Sequence, residues 1–494
     1  MLLGFVIAYW VVSVGIGLYA SMRVKNTADF AIAGRHLPFY MVTCTVFATW
    51  FGAEAVLGIP ATFLEEGLSG IVADPFGTAA CLILVGILFA SPLYRMKLLT
   101  IGDFYKRRFG RETEVITSLA IVVSYLGWVA AQITALGLVF NVVSGGEIST
   151  LAGMWIGSVT ILIYTFFGGM WAVAITDLIQ MVIIVIGMLY IGGEVTELVG
   201  GVDVVINHAS EAGKFNFWPD MNFASVIAFV AAFVTMAFGS MPQQDIFQRV
   251  QSAKTEKIAV WATIVGGGIY FLFAFIPMFL AYAATLIDPE MSARWMEEDS
   301  QMILPSLVLS HAPLVAQILF FGALLSAIKS CASATLLAPS VTFTENILRP
   351  MMKRMSDKQL LAAMRTVTAI FTLMVTVYAI YSDASIFEMV ENAYQITLVV
   401  AFIPLVCGVY WKGATKQGAL LSMAMGFIVW VGVSILGPEE PLIPSQFAGL
   451  IAAIIGMIVG SFAPQMLKHD HTVHERLKKG EMGDEMITVH ENAK

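Results

Sequence analysis

Thirteen apolar stretches run along the chain, at 2–22, 40–68, 70–92, 115–143, 151–167, 171–193, 223–248, 258–286, 313–338, 361–382, 385–410, 417–437 and 446–466. Most approach or exceed the ~20 residues that carry a helix across a bilayer core. Polar segments separate them, so the pattern predicts an all-α polytopic membrane protein with thirteen transmembrane helices. Lys and Arg test that count, because they gather in cytoplasmic loops. With the N-terminus outside, 24 of the 27 fall in inner loops or in the tail 467–494. Lys214 and Arg294 fall outside, and Lys329 falls within a span. The split predicts an N-terminus outside and a cytoplasmic C-terminus.

Composition agrees with that class. Of 494 residues, 58% are hydrophobic and 13% charged, against about 25% charged in a typical soluble domain. The mean hydropathy is +0.81. A soluble enzyme and a disordered or fibrous chain are excluded. The net charge of −8 points to no nucleic-acid partner. Cys44, Cys81, Cys331 and Cys407 lie in apolar stretches without disulfide or metal-ligand spacing, and read as small core residues. The stretch 2–22 is long enough to span by itself, so no cleavable signal peptide is needed. His469, His471 and His474 read as part of a solvated cytoplasmic tail. The longest outer loops, 194–222 and 287–312, carry Trp218-Pro219-Asp220 and Pro289 and Pro305, which suits short helices over the mouth. No nucleophile–base pair, phosphate loop or metal-ligand cluster supports catalysis, and Gly266-Gly267-Gly268 reads as close helix packing.

Two stretches are unusual as membrane helices. The second reads Ala48-Thr49-Trp50-Phe51-Gly52-Ala53-Glu54, then Gly58-Ile59-Pro60. The seventh reads Phe238-Gly239-Ser240-Met241-Pro242-Gln243-Gln244-Asp245. Each sets Gly, Pro and an acid at membrane depth, where a broken helix frees backbone groups for a ligand or ion. Each opens a block of five stretches, 40–193 and 223–410. Paired interruptions at matching places point to an inverted-repeat transporter. Residues 1–30 then add one helix before the core, 411–466 add two after it, and 467–494 form the tail.

Several stretches resemble the sodium:solute symporter family over residues 5 to 466. They are Ala33-Gly34-Arg35, the run Gly168 to Gln180 with its Gly-Gly and Thr176-Asp177, and the Gln243 to Val250 run with Phe247-Gln248-Arg249. Met302-Ile303-Leu304-Pro305 and the small-residue run 322–340 complete the likeness. Ala48-Thr49-Trp50, the 242–250 run and Met302–Pro305 are similar to the choline-transporter-type branch. The resemblance implies a leucine-transporter-type core of ten helices over 40–410.

It also implies a sodium site between the first broken helix and the eighth core helix. There the carbonyls of Ala48 and Phe51 would join an A/S-x-x-S/T-S/T pattern on the later helix. Ala323 and Ser326 fit that pattern, and Ala327 lacks the second hydroxyl. The residue matching Asp177 lines the inward ion path or a second sodium site in the family. Lys329, one turn past Ser326, is an ammonium at membrane depth and so a functional hypothesis. One reading has it stand in for sodium, with Asp177 as counter-charge; the other has it reach the cytoplasmic vestibule. For the solute, Trp50 and Trp128 match aromatics that surround a quaternary ammonium in choline-type relatives by cation–π attraction. Gln132 lies one turn from Trp128 on the same face. Gln243 and Thr78 stand where further aromatics are expected, and Gln244 lies beside Gln243 in the second break. Glu54 favours a cationic or zwitterionic solute when ionised, and carries a coupled proton when protonated.

These expectations make the chain a plasma-membrane symporter of a small organic solute, working as a monomer by alternating access, with sodium as default coupling ion and no cofactor. The alternative is a sodium-independent or proton-coupled carrier in which Lys329 replaces the bound cation. A transporter-fold sensor is disfavoured by the short tail, and a channel by the scattered acids.

Overall fold

The computed structural model describes residues 2–352, 355–438 and 441–467. The tail histidines His469, His471 and His474 lie outside them. Among the described residues the fold is all helical, with one isolated bridge between Leu37 and Ala253. In chain order the membrane elements are α1 (Leu2–Ser21), the bent pair α2 (Phe39–Trp50) and α3 (Glu54–Glu66), α4 (Val72–Arg95), α5 (Arg111–Val143) and α6 (Thr150–Val199). Then follow the bent pair α7 (Phe223–Gly239) and α8 (Gln244–Ser252), α9 (Glu256–Ile287), α10 (Leu314–Met351), α11 (Asp357–Tyr381), α12 (Ile386–Tyr410), α13 (Lys416–Leu436) and α14 (Ser445–Phe462).

Ten helices are long and apolar enough to cross a membrane, and the two bent pairs raise the number to twelve among the described residues. The expected stretch 151–167 makes the difference. It lies with the expected stretch 171–193 in one helical run, α6. The helical run of α6 is then interrupted at Gly169, whose φ of 48° and ψ of −148° are not helical. Only glycine takes such a backbone without strain.

Position in the bundle follows from how far around each helix is apolar. α10 is buried without interruption from Ala323 to Thr342, as a central helix must be. α1 buries only Val6, Trp10, Ser13, Gly17 and Ala20. That spacing of three and four residues makes one stripe, which packs on α6 and α10. α2 packs on α6 and α9, and α13 packs on α14. Short helices Val202–Glu211, Pro289–Glu298 and Ile303–His311 occupy the two loops expected to hold them. One of them is tied down where Asp288 caps Pro289–Glu298 and meets His311 at 2.8 Å.

Candidate functional site

Both expected breaks are present, with bends of 56° between α2 and α3 and 43° between α7 and α8. α2 ends because Phe51 leaves the helical region, at φ −84° and ψ 73°. The Gly52 amide turns to Trp50 O at 3.0 Å, and the Ala53 amide is taken by Gln132 Oε1 at 2.9 Å. In a continuous helix these two donors would return to Ala48 and Thr49. The bend therefore releases carbonyls at the place where an ion site needs them. Gly52 is required by space: a Cβ there would lie 2.7 Å from Gln132 Oε1 and 2.8 Å from Cys331 Cβ and Sγ.

In the second break, Gly239 O accepts from Thr397 Oγ1 at 2.7 Å. Gln243 Nε2 donates to Ser124 Oγ at 2.9 Å and Thr397 Oγ1 at 3.3 Å. Gln243 thus links α5, the break and α12. Gln244 turns elsewhere: its Oε1 accepts from Ile101 N at 2.8 Å, and so anchors the loop before the helix Ile101–Phe109.

Between the breaks sits a cluster of buried rings. Trp50 and Trp128 have centroids 4.7 Å apart. Tyr394 stacks on Trp50 at 5.9 Å and 12°, and meets Trp128 edge-on at 5.6 Å. Tyr125 stacks on the other side of Trp128 at 6.0 Å. All four are at most 3% exposed, so both expected tryptophans face the bundle interior. Tyr394 is the member that sequence reasoning missed. Its signal was the polar run Glu391-Asn392 and Gln395 inside an apolar stretch.

Around the rings, several buried polar atoms have no hydrogen-bond partner among the described residues: Gln132 Nε2, Glu54 Oε1, Thr78 Oγ1 and the Tyr394 hydroxyl. Buried polar groups are normally paired, so orphans mark where water or a ligand belongs.

The surroundings of α10 differ from the expectation. Ser326 hydrogen bonds to Tyr9 on α1 and to Gly322 O, and Ala323 packs where a side chain on Gly187 would lie. One turn further, Ser330 Oγ donates to Asp177 Oδ1 at 2.5 Å, and Thr45 donates to Asp177 Oδ2. Cys331 meets Gly52. Ser330 is thus joined to α2 through Asp177 of α6, and Cys331 meets the break, in the run Ala327-Ile328-Lys329-Ser330-Cys331, which repeats the A-x-x-S spacing four residues on. Lys329 takes another side. Its ammonium hydrogen bonds to Ser13 and lies 5.5 Å over the Trp10 ring, so it is turned to α1. Successive residues on a helix point about 100° apart, and this divides Lys329 from Ser330.

Residues 30–426 match the model of the sodium:solute symporter family. The chain belongs to that family. Among similar symporters and transporters, it is 26% identical to the high-affinity choline transporter 1 of Caenorhabditis elegans, over 86% of this chain and 76% of that one. It is 25% identical to the high-affinity proline transporter PutP of Bacillus subtilis, over 90% and 95%. A solved Na⁺-coupled sialic acid symporter, in a substrate-bound outward-open state, superposes with a TM-score of 0.81 at 20% identity, over 94% of this chain and 99% of that one. Mhp1, a nucleobase-cation-symport-1 family transporter, superposes at 0.58, with 15% identity over 92% and 99%. This symporter is thus an integral membrane transporter of small organic solutes with the leucine-transporter-type fold, and not an enzyme.

Proposed function

We propose that the protein imports a small zwitterionic or cationic organic solute across the plasma membrane by alternating access, coupled to sodium. The observation that carries this reading is the Trp50–Trp128–Tyr394 cluster held between two helix breaks, with the unpartnered oxygen of Glu54 nearby. Aromatic faces and a carboxylate both attract an ammonium group. Gln132 and Thr78 supply polar contacts, and Gln243 shapes the floor.

The coupling ion takes the carbonyl of Ala48, released at the bend, with the carbonyl of Phe51 and the hydroxyl of Ser330, and Asp177 stands behind it. Ala323 and Ser326, implied by the family pattern, give way to Ala327, Ser330 and Cys331, and the turn of Lys329 toward α1 favours sodium over a fixed ammonium. The stretch 151–167 serves as the fifth of thirteen spans, which sets the N-terminus outside and the C-terminus in the cytoplasm. The two repeats are 40–193 and 223–410, with 1–30 and 411–466 added around them, and the protein works as a monomer.

The test is uptake of labelled choline, proline and a panel of amines and amino acids into proteoliposomes. Uptake of at least one zwitterion or cation driven by an inward sodium gradient is expected. Uptake that ignores the gradient, or a preference for anions, overturns the reading.

A further inference from the structure

Arg249 lies on α8, the helix that follows the second break, and is 1% exposed. Long cationic side chains at membrane depth ordinarily carry their charge toward water. This one turns back along α8 toward the break, where its Nη1 donates to Asp245 O at 3.0 Å. Its other two nitrogens, Nε and Nη2, are buried and have no hydrogen-bond partner among the described residues. Neither have both amide atoms of Gln248 or Asp245 Oδ2, on residues that are fully buried. Positions i, i+3 and i+4 share one face of a helix, so these five open atoms fall on one side of α8.

The open atoms name the ligand. Nε and Nη2 form one edge of the planar guanidinium, and such an edge takes the two oxygens of a carboxylate in parallel. A guanidinium keeps its charge in proteins, and a buried charge is normally paired. Gln248 adds an amide donor on the same face, and Asp245 Oδ2 adds an acceptor suited to a cationic group. The face is joined to the aromatic cluster through Tyr125, which stacks on Trp128 at 6.0 Å. The Tyr125 hydroxyl donates to Asp245 Oδ1 at 2.5 Å and accepts from the Asp245 amide at 2.9 Å.

We propose that the open edge of Arg249 binds the carboxylate of a zwitterionic solute, so that among ammonium compounds the transporter selects those that carry an acid group. The inference rests on the aromatic cluster as the solute site, and narrows the solute from zwitterion or cation to zwitterion. A free small carboxylate shares this chemistry, and the experiment separates the two sources.

The experiment compares two pairs of probes on the purified full-length protein, with binding read from the rise in unfolding temperature. Glycine betaine is set against choline, in which a hydroxymethyl group replaces the carboxylate, and proline against pyrrolidine, which lacks it. The parent should bind the acid member of each pair more tightly, by about tenfold or more. In Arg249→Gln, whose amide can still donate to Asp245 O, the preference should fall to about twofold or less, through weaker binding of the acids. Arg249→Lys keeps the charge without the fork and should fall between, which reads the edge even if Arg249→Gln is recovered only as aggregate. A parent that binds both members of each pair alike overturns the proposal and leaves the aromatic site standing. A parent that binds none of the four overturns the aromatic reading and the proposal with it. Equal loss of all four probes in the variants, or a parental preference kept in Arg249→Lys, also overturns it. So does choline binding that sodium acetate tightens in the parent and not in Arg249→Gln, which would give the edge to a free anion.

Discussion

Gln132 accepts the Ala53 amide at 2.9 Å, so a side chain of α5 takes the place of a helical carbonyl at the bend between α2 and α3. The bend is thereby a fixed feature of the bundle. Its amide is satisfied by Gln132, and its tightest point, Gly52, is closed against Gln132 and Cys331.

Gly52→Ala tests this closure. The added methyl would sit within 2.8 Å of Cys331 and nearer still to Gln132 Oε1. Overpacking of this kind costs about 1–3 kcal/mol. The variant is expected to unfold at lower temperature in detergent and to lose most of its uptake. A variant as stable and active as the parent would show the bend to be loose.

Tyr394 separates ring packing from ligand contact. Tyr394→Phe keeps the stacking on Trp50 and removes a hydroxyl with no partner among the described residues. Stability should stay within about 0.5 kcal/mol of the parent, while KM for the solute rises by the equivalent of about 0.5–1.5 kcal/mol for a lost hydrogen bond. Tyr394→Ala should cost about 3–5 kcal/mol of stability. An unchanged KM in Tyr394→Phe would put the hydroxyl outside the solute site.

The apolar stretches and the position of the Lys and Arg residues made most of the membrane elements legible, because each has to satisfy its own backbone in lipid. The breaks were legible for the same reason: Gly52 and Gly239 with adjacent acids make no sense in a plain span. Facing was harder to read. Ala323-x-x-Ser326 and Ala327-x-x-Ser330 have the same spacing on one buried helix, and each meets the motif up to its last position. What separates them is which neighbour each meets, Tyr9 or Asp177, and that lies in the packing of α1 and α6. Tyr394 was passed over as one tyrosine among fourteen.

Ser330→Ala and Ser326→Ala should therefore differ. Ser330→Ala removes a hydrogen bond to a buried carboxylate, worth about 1.5–3 kcal/mol. Half-saturation by sodium should rise by roughly tenfold for each 1.4 kcal/mol of that loss. Ser326→Ala frees Tyr9 on α1 and should leave the sodium response unchanged. Sodium titration of uptake reads both, and the reverse order would restore the register with Ala323 and Ser326.

Lys329→Met asks whether the buried ammonium takes part in ion coupling. The ammonium lies over Trp10 and bonds to Ser13, on the side of α10 that faces α1. Replacing a buried charge by an apolar side chain of similar volume is often neutral or stabilising, so Lys329→Met should keep both the parent's stability and its sodium half-saturation. The charge should instead show itself through Trp10, which is 7% exposed. Trp10→Ala opens a cavity, at about 3–5 kcal/mol, and also removes the ring that shields the ammonium. In the Lys329→Met background the second loss is gone, and contacting pairs couple by about 0.5–3 kcal/mol. A thermal double-mutant cycle should show that coupling, with Trp10→Ala costing less when the ammonium is absent. If Lys329→Met instead changes the sodium dependence while the cycle shows no coupling, the ammonium acts on the ion path, and its place against α1 is not its working position.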